Sequence, residues 1–230
     1  QKSRSDIFRP GFSFSSIRLR FRELVPLSLP LTANRVLLGL LQGIEAVSIP
    51  GCLKLYNHST SEALSTYGVL TGMALPCILF PSAITNSVSI MLMPTVAELQ
   101  VKDQASGIRK LLQKVLGSCF LMGLFCCLFF LFFGQLIGQF LFASDLAGNF
   151  IITLAWICPF LYVNGSLLSV LNGFGKTTTS FTINTVGLAI RIGSVFFAIP
   201  VFGIQGYLWG LLISQLAVLS LIHISEPTRP

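Results

Sequence analysis

Apolar residues in this chain run in blocks too long for water-soluble helices, with short polar connectors between them. Ala63–Ala97, Val115–Ser144, Leu146–Gly175 and Ile192–Ser225 contain no Asp, Glu, Lys or Arg, and each is at least 30 residues long. Crossing the hydrocarbon core of a bilayer takes about 20 mostly apolar residues of helix. A helix that faces water on one side keeps charges on that side. The pattern predicts an all-α polytopic membrane protein.

Six spans are expected. They are Leu24–Ile49, Ala63–Met93, Val115–Phe142, Leu146–Leu171, Thr178–Ile199 and a sixth beginning at Tyr207. Pro76 and Pro81 should break the second span, and Pro159 lies inside the fourth. Pro50–Glu62 and Pro94–Lys114 read as connectors, the latter with an amphipathic turn at Ile108–Leu116. Residues 1–22 form a basic segment before the membrane domain. They carry Lys2, Arg4, Arg9, Arg18, Arg20 and Arg22 interleaved with Phe and Leu, a pattern suited to the interface. The membrane domain is expected over residues 23–218.

Composition sharpens this picture. Hydrophobic residues make up 53% and charged residues 10%, against about 25% charged in soluble domains. The net charge of +7 is therefore assigned to loops beside anionic headgroups, and no nucleic-acid partner is expected. With the N-terminal segment in the cytoplasm, eleven basic residues fall inside, and the outer loops hold only Lys54. That bias predicts a multi-pass protein of the cell membrane with this orientation. The six cysteines form no CxxC pair and no Cys/His cluster, so no metal, cofactor or disulfide framework is expected.

Both ends carry further expectations. Gln1 is not Met, and residues 1–22 show no signal-peptide core, so the chain is expected to begin within a larger protein. Residues 219–230 read LSLIHISEPTRP, which resembles the translation of a transposon-end sequencing adaptor. That segment is set apart from the membrane domain.

Several strings carry a family resemblance. Pro30-Leu31-Thr32-Ala33-Asn34-Arg35 and Gln42-Gly43-Ile44-Glu45-Ala46 lie in the first span. Glu62–Pro76 opens the second, Met93-Pro94-Thr95-Val96-Ala97-Glu98 ends it, and Leu171–Lys176 closes the fourth. Phe202-Gly203-Ile204-Gln205-Gly206-Tyr207 joins the fifth to the sixth. In this order they resemble the stage V sporulation protein B family. It lies in the polysaccharide biosynthesis branch of the multidrug/oligosaccharidyl-lipid/polysaccharide (MOP) exporter superfamily. The resemblance implies two six-helix lobes around a central cavity, as in MATE-like transporters, with this chain as roughly the second lobe. It implies a partner lobe on the same protein and a lipid-linked oligosaccharide substrate moved by alternating access, in sporulation.

Charges within spans are costly and tend to be functional. Three lie there: Arg35, Glu45 and Arg191. At 100° per residue, Asn34, Arg35, Gln42 and Glu45 share a polar stripe about 100° wide on the first span. Two readings stand. Asn34, Arg35, Gln42, Glu45 and Arg191 could bind a pyrophosphate-linked sugar, with Arg on phosphate oxygens and amides on hydroxyls. Alternatively, Glu45 pairs with Arg35 or Arg191 to hold helices together. Isolated acids argue against an enzyme. A drug/cation antiporter would have only Glu45 as an acidic site, and a non-transporting scaffold for cell-wall synthesis is the remaining alternative.

Overall fold

The computed structural model describes residues 14–56, 59–101 and 105–225, and no strand occurs among them. Residues 1–41 and 42–230 form two compact units. The first unit holds the N-terminal part of α1 (Phe14–Leu55). Its described side chains, from Arg35 to Leu41, are exposed or half-buried. Residues 1–13 and 226–230 lie outside the described residues, so most of the basic segment and the last five positions are not placed.

The second unit contains the remaining helices. They are α2 (Thr60–Val69), α3 (Leu75–Leu79), α4 (Ser82–Val101), α5 (Ala105–Phe142), α6 (Asp145–Ala155), α7 (Cys158–Gly173), α8 (Thr177–Phe197), α9 (Ile199–Phe202) and α10 (Ile204–Ser225). Five described helices are long and apolar enough to cross a bilayer. They become six when α6 and α7, bent by 56° from each other, count as one span. Each of the six overlaps one of the spans expected from the sequence.

The boundaries differ in instructive ways. α1 continues through Pro50 to Leu55, so the connector after it is shorter than Pro50–Glu62. Ser59 then starts α2 with a capping box. The Glu62 N–H donates to Ser59 Oγ at 3.2 Å, and the Ser59 N–H donates to Glu62 Oε2 at 3.0 Å. The expected linker 94–114 is mostly helix: α4 runs to Val101 with Pro94 inside it, and α5 starts at Ala105. Ile108, Leu111 and Leu112 have an apolar surface to bury, against Leu92, Val96 and Val170, so the amphipathic turn becomes part of α5. α10 begins at Ile204 and remains helical through Leu219–Ser225, with Ile222 fully buried.

The second span is interrupted twice. A π-turn at Leu70–Ala74 precedes Pro76, and Phe80-Pro81 separates α3 from α4. A proline has no N–H for the carbonyl four residues back, and the ladder must adjust around it. The fourth span divides at Trp156-Ile157, just before Pro159.

The surface is apolar as well as the core. Phe125, Phe132, Phe140 and Phe197 are mostly exposed, while the core gathers Leu53, Leu70, Ile78, Phe150, Leu154 and Leu208. Such a surface suits acyl chains. Glycines let backbones meet. A Cβ on Gly138 would strike the Gly148 backbone, and one on Gly123 would lie 2.6 Å from Pro159 Cα. Gly134 and Gly187 are tight against the Ile152 and Val218 side chains, whereas Gly68, Gly72, Gly117 and Gly193 have open space. Gly175, at φ 75°, supplies the left-handed residue that ends α7, and the Lys176 N–H returns to the Leu171 carbonyl at 3.0 Å.

Candidate functional site

Glu45 is the first buried residue among the described residues of α1, followed on the same face by Ile49, Cys52 and Leu53. A carboxylate so placed needs a cation or several hydrogen-bond donors. It has both. The Arg191 Nε–H of α8 donates to Glu45 Oε1 at 2.9 Å. The Tyr207 hydroxyl of α10 donates to the same oxygen at 2.7 Å. Arg191 Nη2 lies 3.3 Å from the Tyr207 hydroxyl and closes a triangle.

Small residues make this meeting possible. Cβ atoms on Gly206 and Gly210 of α10 would collide with Ala198, just past the end of α8, and with Ser194 of α8. Because they are glycines, α10 lies against α8 one turn from Arg191, and Tyr207 reaches the guanidinium. Ser194 Oγ donates to the Arg191 carbonyl at 2.7 Å and so turns back onto its own helix.

Accessibility is uneven. Glu45 and Tyr207 are each 3% exposed, while the Arg191 side chain retains 28%. Arg191 therefore faces both the carboxylate and the space beyond it. A guanidinium carries five N–H donors, of which two are engaged among the described residues.

Arg35 and Gln42 are exposed, and the side chain of Asn34 lies outside the described residues. The polar stripe on α1 therefore splits along the helix rather than around it: Gln42 is open and Glu45, three residues later, is enclosed. Of the two pairings open in the sequence, Glu45–Arg191 is formed. Tyr207 was recognisable only as the end of a family string. Its signal was the need of a tyrosine hydroxyl, inside an apolar span, for a partner.

A second polar seam is uncharged. Asn164 Nδ2 of α7 donates to the Gln215 carbonyl at 2.9 Å and to Gln215 Oε1 at 2.8 Å. Asn164 Oδ1 is buried with no partner among the described residues. Beside it Ser166 meets Ser89 at 3.0 Å and Cys119 at 3.1 Å. The sequence singled out none of these, because isolated Ser and Asn in apolar spans carry no spacing signal. All six cysteines are free thiols, and no group of three His, Cys, Asp or Glu able to hold a metal occurs among the described residues.

Comparison with known proteins agrees with this architecture. Stage V sporulation protein B of Bacillus subtilis is 25% identical over 211 residues, covering 91% of this chain and 40% of that protein. Among solved structures, a MOP superfamily transporter from Pyrococcus furiosus, described for the reverse polarity of its binding pocket, superposes with a TM-score of 0.66. It covers 86% of this chain and 43% of that one, at 15% identity. The fold is that of part of a MOP superfamily transporter. Sporulation protein YkvU of B. subtilis is 26% identical over 93 residues, 40% of this chain and 21% of that protein. The chain thus spans about 40% of the length of stage V sporulation protein B, and the resemblance to that family read from the sequence holds along nearly the whole chain. No family model matches.

Proposed function

We propose that this chain is the second lobe of a membrane flippase that moves lipid-linked cell-wall or polysaccharide precursors by alternating access, in sporulation. The observation that carries the proposal is the Glu45–Arg191–Tyr207 triangle, a charged site buried in a MOP-type fold with only its cation accessible. Lipid does not tolerate such a site without partners.

The chemistry follows from the donors. A pyrophosphate presents several acceptor oxygens, and a guanidinium binds them as a fork. In the empty protein Glu45 neutralises Arg191, and Tyr207 holds the carboxylate in place. An arriving phosphate competes with Glu45 for the guanidinium, and Tyr207 keeps one donor on the carboxylate during the exchange. Gln42, exposed on α1, would add an amide for sugar hydroxyls, and Asn34 and Arg35 are proposed as further substrate-binding residues on their own part of α1. The first lobe of the same protein supplies the opposite wall, and the basic N-terminal segment lies in the cytoplasm.

A drug/cation antiporter is less well supported, because Glu45 already holds a protein cation at 2.9 Å. The test uses the full-length protein in liposomes with a fluorescent lipid-linked glycan, with membrane potential and sodium gradient varied separately. Translocation in at least one condition is expected. No movement in any condition overturns the reading and favours a non-transporting scaffold.

A further inference from the structure

One buried acceptor of the second unit has no donor. Asn164 is 3% exposed, and its Oδ1 is without a partner among the described residues. Its amide nitrogen meets Gln215 of α10 twice, at the backbone carbonyl and at Oε1. Those two acceptors fix which end of the Asn164 amide is nitrogen, since a reversed amide would set oxygen against oxygen. A buried carbonyl oxygen left unpaired costs about 1–3 kcal/mol. Attachment of α7 to α10 accounts for the nitrogen and leaves the oxygen unexplained.

The neighbourhood is rich in neutral amides. Ser166 and Val170 turn α7 toward α4, against Ser89 and Val96, while Leu167 and Leu171 turn it toward α10, against Val218 and Ile222. Gly165 lies on the side between, where α7 is only half-buried at Leu161, Gly165, Leu168 and Asn172. Asn164 and Gln215 stand at the α10 edge of that side. Asn86 of α4 stands at the other edge: a Cβ on Gly165 would have Asn86 Oδ1 at 3.6 Å. Asn86 is exposed, Gln215 is half-buried, and Gln215 Nε2 is not engaged among the described residues. Polar side chains open along membrane spans face a wet cavity or protein rather than acyl chains.

We propose that Asn164, Gln215 and Asn86 form a neutral subsite for sugar hydroxyls on the open side of α7. A hydroxyl both donates and accepts, which is what this pair of amides lacks. Its O–H completes Asn164 Oδ1, and its oxygen accepts from Gln215 Nε2. Gln215 supplies the movable part. With Oε1 swung off the Asn164 nitrogen, that nitrogen still holds the Gln215 backbone carbonyl, and a hydroxyl enters between the amides. Asn86 receives a second hydroxyl across Gly165, where the missing Cβ lets a ring approach the backbone. The three amides carry no charge, so the subsite takes the neutral part of an amphipathic substrate. It rests on the function proposed above: Arg191 takes the phosphate, and this side of α7 takes the glycan.

The test measures affinity with the full-length protein in detergent and three probes. They are a lipid-linked glycan, the same polyprenyl pyrophosphate without sugar, and the free glycan. Asn164→Leu is expected to weaken the lipid-linked glycan about tenfold, the scale of one hydrogen bond, and to leave the sugar-free pyrophosphate unchanged. Arg191→Met is expected to weaken both. Equal loss on both lipid probes with Asn164→Leu, or no loss on either, overturns the subsite. Gly165→Ala repeats the test if Asn164→Leu yields no folded protein, because its Cβ meets only Asn86 at ordinary contact distance while narrowing the approach. Saturable binding of the free glycan, lost with Asn164→Leu, supports the subsite even where no translocation occurs, so failure of the transport reading remains separate. A parent protein that binds the sugar-free pyrophosphate as tightly as the lipid-linked glycan, or one that holds only a water at Asn164 Oδ1 with glycan bound, overturns the subsite and leaves the Arg191 site standing.

Discussion

Two helix pairs solve the same packing problem with different chemistry. α5 and α6 meet through Gly134, Gly138 and Gly148, and their charge contact is at the turn, where Asp145 Oδ1 accepts from Gln139 at 2.8 Å and from Gln135 at 3.2 Å. α8 and α10 also meet through small residues, yet they enclose Arg191 and Tyr207 around Glu45. The first pair shows that this fold closes without a buried ion. A buried ion pair is weak evidence for stability, since apolar replacements of similar size are often neutral or better. The glycines thus serve assembly, whereas a role of the triangle in transport is what was proposed above.

The largest effect should come from breaking the triangle on one side. Glu45→Ala strands the guanidinium among apolar helices and should cost about 3–5 kcal/mol, read as loss of folded protein on size exclusion in detergent. Gly138→Ala places a Cβ on the Gly148 backbone; overpacking of this kind costs about 1–3 kcal/mol, seen as a lower thermal midpoint. If Gly138→Ala were neutral, the assignment of the glycines to assembly would fail. Ser59→Ala removes the α2 cap and should cost about 1 kcal/mol, with higher amide exchange confined to the first turn. Gly68→Ala meets open space in a helix and should be neutral or stabilise by up to about 1 kcal/mol. It serves as the control for Gly138→Ala.

Much of the fold was legible because long uncharged segments have few outcomes besides spanning a bilayer. The six spans and the interruptions near Pro76, Pro81 and Pro159 were readable from apolar length and proline chemistry. The helical ends of α4 and α5 were not, because Pro94 and the charges around Arg109 resemble a loop until Leu92, Val96 and Val170 offer them a surface. At the site, Glu45 and Arg191 were legible as charges out of place. Their pairing was not, since it depends on α8 and α10 touching through Gly206 and Gly210. Burial changes along α1 as well as around it, so Gln42 is exposed where Glu45 is enclosed. The Tyr162 contact could not be found from sequence, as its partner is the backbone carbonyl of Ile78 on another helix.

The most direct measurement is translocation by the full-length protein carrying Glu45→Gln with Arg191→Met, which removes both charges while leaving side chains of similar length. The thermal midpoint should stay within a few degrees of the parent, while the rate of lipid-linked glycan movement falls at least a hundredfold, about 2.7 kcal/mol. A double variant that transports at the parental rate, or one that no longer folds, would contradict a functional role for the buried pair.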